Sequence, residues 1–178
     1  MTVLFEAKVG ERNIFTVRRS DKGYFVVDRP SPNVVSVIAV TPEKNVVLVQ
    51  QYREGVKEVC LELPAGVDDK NKPLEQTALE ELEEETGYTA SSMIPLGSFS
   101  KSAGITNEIV HLFRAEGVRK VSKGGGVGDE NITIVEIPLE NFLNLNALIE
   151  ASKTVRFSSE ILMAVAVLNP TLLKDNQL

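Results

Sequence analysis

The segment that most constrains the fold is the run Glu80-Glu81-Leu82-Glu83-Glu84-Glu85-Thr86-Gly87, set behind Pro64-Ala65-Gly66. Leu74, Ala78 and Leu82 recur at i, i+4 and i+8, the spacing of one apolar stripe on a helix. The spacing predicts a helix that opens just after Pro73, where a missing N–H is no loss, and stops at Gly87. On that helix Glu81, Glu84 and Glu85 stand at i, i+3 and i+4, neighbours on one face, and Glu85 lies angularly between Leu74 and Ala78. One acid is therefore expected to point towards the core. Like charges at this spacing cost roughly 0.2–0.5 kcal/mol each in water, and more once partly buried, so a cation should compensate them. A hard divalent ion such as Mg²⁺ would do so through oxygen ligands. Glu75, Glu80 and Glu83 read as an ordinary solvated acidic face. That reading does not extend easily to the other three, because it leaves acids beside an apolar stripe inside a fixed frame from Gly66 to Gly87.

The 178 residues, 43% of them hydrophobic, are enough to bury one sizeable core, so one domain with a small extension is expected. The net charge of −6 argues against a general nucleic-acid surface and for a small ligand whose phosphates are met by metal. Cys60 is the only cysteine, lies in the alternating stretch Val59-Cys60-Leu61, and reads as a buried structural thiol rather than a nucleophile. His111, the only histidine, has no second histidine for a metal site and is read as structural, which argues against serine-hydrolase chemistry. The N-terminus lacks a charged start with an apolar core, and no stretch approaches the ~20 apolar residues of a membrane span. A soluble cytoplasmic protein is the expectation.

Strand and helix patterns alternate along the chain. Phe15–Arg18 and Tyr24–Val27 flank Ser20-Asp21-Lys22-Gly23 as a hairpin, and residues 1–30 form a small N-terminal sheet that ends at Arg29-Pro30-Ser31-Pro32-Asn33. Val34–Val40 and Val46–Gln50 form a second hairpin of central strands. Ile94–Phe99, Ile109–Arg114 and Ile132–Ile137 supply further strands. Helices are predicted over Glu140–Ser152 and from about Ser158 to Leu168, with Ser158 or Ser159 as cap and Asn169-Pro170 as stop. Beyond Pro170 a frayed tail is expected. This order suits an α+β sandwich, helices covering a mixed sheet.

The box resembles that of the Nudix hydrolases, G-x5-E-x7-R-E-U-x-E-E-x-G-U with U apolar. Gly66, Glu81, Leu82, Glu84, Glu85, Gly87 and the aromatic Tyr88 match it. Two positions depart: Lys72 stands where the family has an acid, and Glu80 where it has an arginine. In the family those two residues brace the box, so an exchanged pair, Lys72 with Glu80, is expected to do so here. Gln50-Gln51-Tyr52-Arg53 and Glu62-Leu63-Pro64-Ala65-Gly66 resemble the paired segments of the ADP-ribose pyrophosphatase and nucleoside diphosphate sugar hydrolase branch, and the likeness spans most of residues 30–170. The resemblance implies the αβα sandwich of the Nudix fold over residues 31–178. It also implies an N-terminal β extension over residues 1–30 through which a homodimer can form.

The resemblance also implies roles for individual residues. Glu81, Glu84, Glu85 and the Ala65 carbonyl are expected to hold Mg²⁺, with Mn²⁺ able to substitute. Arg53 ends an apolar strand, where its guanidinium suits a bidentate grip on a diphosphate or ends the strand in solvent. Glu62 helps shape the substrate pocket. Ser102-Ala103-Gly104 stands where ADP-ribose hydrolases carry Ser-Pro-Gly. Gly104 lets the backbone approach a ribose or phosphate, or forms an ordinary turn. The absent proline keeps ADP-sugars and GDP-mannose open beside ADP-ribose. Lys123-Gly124-Gly125-Gly126-Val127-Gly128 reads as a mobile loop and lacks the Walker order. Glu130, just beyond it, is the expected base or water-orienting residue, against the plain reading of a solvated loop acid.

The expected reaction is metal-dependent hydrolysis of the diphosphate linkage of ADP-ribose or a nucleoside diphosphate sugar, giving a nucleoside monophosphate and a sugar phosphate. Glu130 or Glu84 takes the proton of the attacking water, and Arg53 holds charge developing on the phosphate oxygens. Two other readings stay open. One is pyrophosphohydrolysis of a dinucleoside polyphosphate, coenzyme A or an RNA 5′ end. The other is a non-catalytic nucleotide sensor with a degenerate box.

Overall fold

A computed structural model describes residues 1–68, 72–128 and 131–169. The N-terminal sheet has three antiparallel strands, β1 (Thr2–Val9), β2 (Arg12–Arg19) and β3 (Phe25–Asp28), one more than the predicted hairpin. The main sheet is built on β4 (Asn33–Val40) and β5 (Asn45–Arg53), followed by β6 (Glu58–Glu62) and the short β7 (Ala65–Val67). Helix α1 (Leu74–Thr86) comes next, then β8 (Tyr88–Thr89), β9 (Ser92–Ser100), β10 (Ile109–Glu116), β11 (Arg119–Lys120) and β12 (Thr133–Pro138). The chain closes with α2 (Leu139–Phe142), α3 (Leu145–Ala151), β13 (Arg156–Phe157) and α4 (Ser159–Leu168). Strand β10 runs parallel to β4 and antiparallel to β9, so the sheet is mixed.

Strand β4 divides the core because its side chains alternate between faces. Val35, Val37 and Ala39 pack with Ala78 and Leu82 of α1, Tyr88 and Phe113. Ile38, with Val46, Leu48 and Leu112, packs on the other side against Phe142, Leu148, Ile161 and Ala164 of α2–α4. The result is the expected sandwich, helix on both faces of a mixed sheet.

Strands β4 and β5 touch only at Ala39↔Val47 and Val40↔Val46, then diverge. Into the opening runs β6–β7. Glu58–Glu62 of β6 pairs with β5, and Ala65–Val67 of β7 pairs with Ser36–Val34 of β4. Between them the Val37 N–H donates to the Pro64 carbonyl at 2.9 Å. The split leaves a concave floor at the apex of the sheet, where a ligand can reach backbone as well as side chains.

Helix α1 keeps the predicted bounds, with Pro73 at its start and Gly87 left-handed at its end (φ 70°). The single helix expected over Glu140–Ser152 is instead two. The chain breaks at Leu143-Asn144, and the Asn144 side chain accepts from the Ala147 N–H at 3.2 Å to start α3. Ser158 precedes α4 without a side-chain cap bond. The tail beyond Pro170 lies outside the described residues, as does Glu130.

The glycine loop, expected to be mobile, is docked on the end of α1. Gly125 and Gly126 donate to the carbonyls of Glu85 and Glu84 at 2.8 and 3.0 Å, taking up groups that a helix end leaves unpaired. Gly124 has φ 66°, and a Cβ there would overlap the backbone of Thr86 and Gly87. Glycine is needed at that position for close approach as well as for conformation.

Candidate active site

The cleft at the split has a volume of about 530 Å³. The β5–β6 arm gives it Arg53, Cys60 and Glu62; the β4 arm gives Val34 and Ser36; Ala65–Val67 form its floor. Arg53 and Glu62 meet in a fork, Nε to Oε1 at 2.9 Å and Nη2 to Oε2 at 2.5 Å. The hydrogen bonds that Arg53 donates to Glu62 raise its pKa above the ordinary value, against the opposing effect of burial. A planar guanidinium held this way is pre-oriented for bidentate contact with phosphate oxygens.

Directly behind the floor stand two of the three box acids. Glu85 is 5% exposed and its Oε2 accepts from the Ala65 N–H at 2.9 Å. The predicted inward acid is thus in place, on the backbone that was expected to supply a metal ligand. The Glu81 carboxylate lies on Gly66 so closely that a Cβ there would overlap it. Glu84 lines a different hollow of about 570 Å³ with Glu80, Glu83, Lys123 and Gly126. Among the described residues no three Asp, Glu, His or Cys side chains stand at ion-holding spacing. The donors gathered at Ala65–Gly66 are nonetheless all oxygen, the set that suits a hard divalent cation and not a thiophilic one.

The exchanged box pair is formed. Lys72 Nζ sits 2.6 Å from both Glu80 oxygens, and Gln76 Nε2 donates to Glu80 Oε1 at 3.0 Å.

The remaining wall was not foreseen. Arg29 Nη1 donates to Glu108 at 2.8 Å, and Lys101 Nζ reaches Glu160 at 3.0 Å and Glu108 at 3.8 Å. All four line the cleft. Burial pushes the Glu160 carboxyl up, but the Lys101 charge and hydrogen bond, its own backbone N–H and the Ser159 hydroxyl outweigh it and hold Glu160 below its ordinary range. Ser36 Oγ and Ser158 Oγ, in the same wall, are buried without a hydrogen-bond partner. Each such group costs roughly 1–3 kcal/mol unless a ligand or water satisfies it. Two of these had a sequence signal. Ser36 interrupts the apolar run Val34–Val40, and Glu160 is the lone charge in the helix Ser159–Leu168. Arg29, Lys101 and Glu108 had none, because only long-range folding brings them together.

Gly104 does not line the cleft. It is exposed, and a Cβ there would meet nothing within 4 Å. His111 lies between Ser98 Oγ and Asn33 Oδ1, each at 2.9 Å, a cross-strand link that suits its structural reading. No helix among the described residues is long and apolar enough to cross a membrane.

A mixed sheet split over an acid-bearing helix, with a forked arginine in the cleft, defines an α+β sandwich domain with an open site at the split. The NUDIX domain model matches residues 30–161, and the chain belongs to that family. It is 42% identical over 113 residues to the methanol dehydrogenase activator of Bacillus methanolicus, covering 63% of this chain and 61% of that protein. It is 40% identical over 115 residues to the ADP-ribose pyrophosphatase of Bacillus subtilis (strain 168), covering 64% and 62%. The aligned stretch therefore spans about three fifths of these relatives. A solved structure described as an ADP compounds hydrolase shares the fold, with a TM-score of 0.67 at 20% identity over 94% of this chain and 90% of that one.

Proposed function

We propose that this protein hydrolyses the diphosphate linkage of ADP-ribose or a related nucleoside diphosphate sugar, releasing a nucleoside monophosphate and a sugar phosphate. The observation that carries this reading is the coincidence, in one cleft, of the Arg53–Glu62 fork with the Ala65–Gly66 floor against which Glu81 and Glu85 rest. Arg53 binds diphosphate oxygens, and Glu62 aims it. Glu81, Glu85 and the Ala65 carbonyl, joined by Glu84 from the neighbouring hollow, would hold Mg²⁺, or Mn²⁺ in its place. When bound, the ion neutralises diphosphate charge and makes water a better nucleophile. Glu130 or Glu84 accepts the water's proton. Gly104, outside the cleft, would reach the substrate only through the backbone of its loop.

The relative named ADP-ribose pyrophosphatase supports the substrate class. Residues 1–30 are read as an extension and 31–178 as the catalytic domain. The extension exposes Val3, Phe5, Val9 and Phe25, each more than half accessible, and this apolar surface supports a homodimer formed through the N-terminal sheets. The site is read as cytoplasmic, where nucleotide sugars are made and used.

The sensor reading was motivated by Lys72 and Glu80. The meeting of those two charges supports a braced box and so favours the hydrolysis reading. The test is incubation with a mixture of ADP-ribose and nucleotide sugars in Mg²⁺, followed by identification of the products. Tight nucleotide binding with no product in either Mg²⁺ or Mn²⁺ would reverse the choice.

A further inference from the structure

We infer that the wall formed by Ser36, Ser158 and the Lys101–Glu160 pair is a subsite for the vicinal hydroxyls of the substrate's glycosyl group, an inference that rests on the hydrolase reading above. Ser36 is 1% exposed and lies on β4 opposite Ala65, beside the floor where the diphosphate is placed. Its hydroxyl and that of Ser158 are buried with no partner within the protein, and both residues line the cleft. Buried polar groups in folded proteins are almost always paired, so two orphans in one cleft point to a ligand that completes them. Each hydroxyl can donate once and accept twice, as can a sugar hydroxyl.

Glu160 adds the acceptor. One of its oxygens takes Lys101 Nζ at 3.0 Å, and an oxygen takes Ser159 Oγ at 3.1 Å, which leaves carboxylate lone pairs for donors from the cleft. Lys101 is held between Glu160 and Glu108, so its charge is committed to the wall. Glu108 and Glu160 offset Arg29 and Lys101, so the wall has no net positive charge to draw an anionic group, whereas a neutral polyol would donate to Glu160 and exchange hydrogen bonds with both serines. The wall therefore selects a neutral sugar over a further phosphate. That separates nucleoside diphosphate sugars from dinucleoside polyphosphates.

The test compares two ligands with the same nucleoside and the same diphosphate charge, ADP-ribose and the β-methyl ester of ADP, which lacks the sugar. Calorimetric titration of the full chain is run in chelator, so that nothing turns over. The wild type should bind ADP-ribose about tenfold or more tightly than the ester, and Ser36→Ala, Ser158→Ala and Glu160→Gln should each narrow that gap while leaving the ester unchanged. Ser36→Ala should not lower the melting temperature, since it removes an unpaired group, and it serves as the probe if Glu160→Gln fails to fold. No sugar advantage in the wild type, or equal losses on both ligands, overturns the subsite. If the affinity gap and its collapse persist while no nucleotide sugar is cleaved in Mg²⁺, the hydrolase reading falls and the subsite stands.

Discussion

Lys72 Nζ lies 2.6 Å from both carboxylate oxygens of Glu80, joining the segment that leads out of Gly66 to the helix that carries the box acids. Both side chains are 31% exposed, so the pair is partly screened and its coupling should be about 0.5–1 kcal/mol. In a cycle of Lys72→Glu, Glu80→Arg and the double mutant, each single change should lower stability and activity. The double mutant should recover most of both. Losses that simply add would show that the two charges do not act as a pair.

Glu85 is buried and accepts from the Ala65 N–H. Glutamine can keep that hydrogen bond through its carbonyl oxygen, so Glu85→Gln should melt near the wild type. With its negative charge gone, turnover should fall by about 10²–10³-fold, the scale of losing one electrostatic contact at a reacting centre. Full activity of the variant in saturating Mg²⁺ would remove Glu85 from the ligand set.

Helix α1 was legible because proline, glycine and a clean apolar stripe mark its ends and its buried face, and the Lys72–Glu80 pair because two charges were exchanged at matching positions. Strand β7 was not legible. Its three residues, Ala65-Gly66-Val67, have no period, and they become a strand only because β4 and β5 part and leave a vacant edge. The Arg29–Glu108 and Lys101–Glu160 contacts cross 79 and 59 positions of sequence, beyond what local pattern encodes. The glycine loop misled for a related reason. Glycine permits disorder and also permits the left-handed turns that bring N–H groups onto a helix end, and only the neighbouring carbonyls of Glu84 and Glu85 decide between them.

Gly124 tests that docking. A methyl group there would collide with backbone, which cannot swing aside as a side chain can, and φ 66° adds strain. Gly124→Ala should destabilise the fold by about 1–3 kcal/mol in denaturant titration, whereas Gly128→Ala, left-handed but with open space around it, should cost less. Equal midpoints for Gly124→Ala and the wild type would mean that the loop does not rest on the helix.

Tyr88 follows the helix-ending Gly87, and its hydroxyl donates to Glu136 at 2.6 Å while Lys120 Nζ sits 4.4 Å from its ring centroid. Burial and then the bond to Glu136 push its pKa from 10 up to about 12. A phenol whose folded value is raised stabilises the fold while it stays protonated. That contribution is complete below about pH 10 and is lost as the pH climbs towards about 12. Ionising Tyr88 removes that hydrogen bond and sets a phenolate against the Glu136 carboxylate, beside the end of α1 where Lys120 donates to the Thr86 carbonyl at 2.7 Å. Denaturant midpoints measured from about pH 9 to about pH 12 should fall more steeply for the wild type than for Tyr88→Phe, which has no proton to lose there. Tyr88→Phe should also start lower at about pH 9, because Glu136 loses its donor. Parallel alkaline curves for the two proteins would show that the phenol titrates alike in the folded and unfolded chains and that its contact with Glu136 does not stabilise the fold.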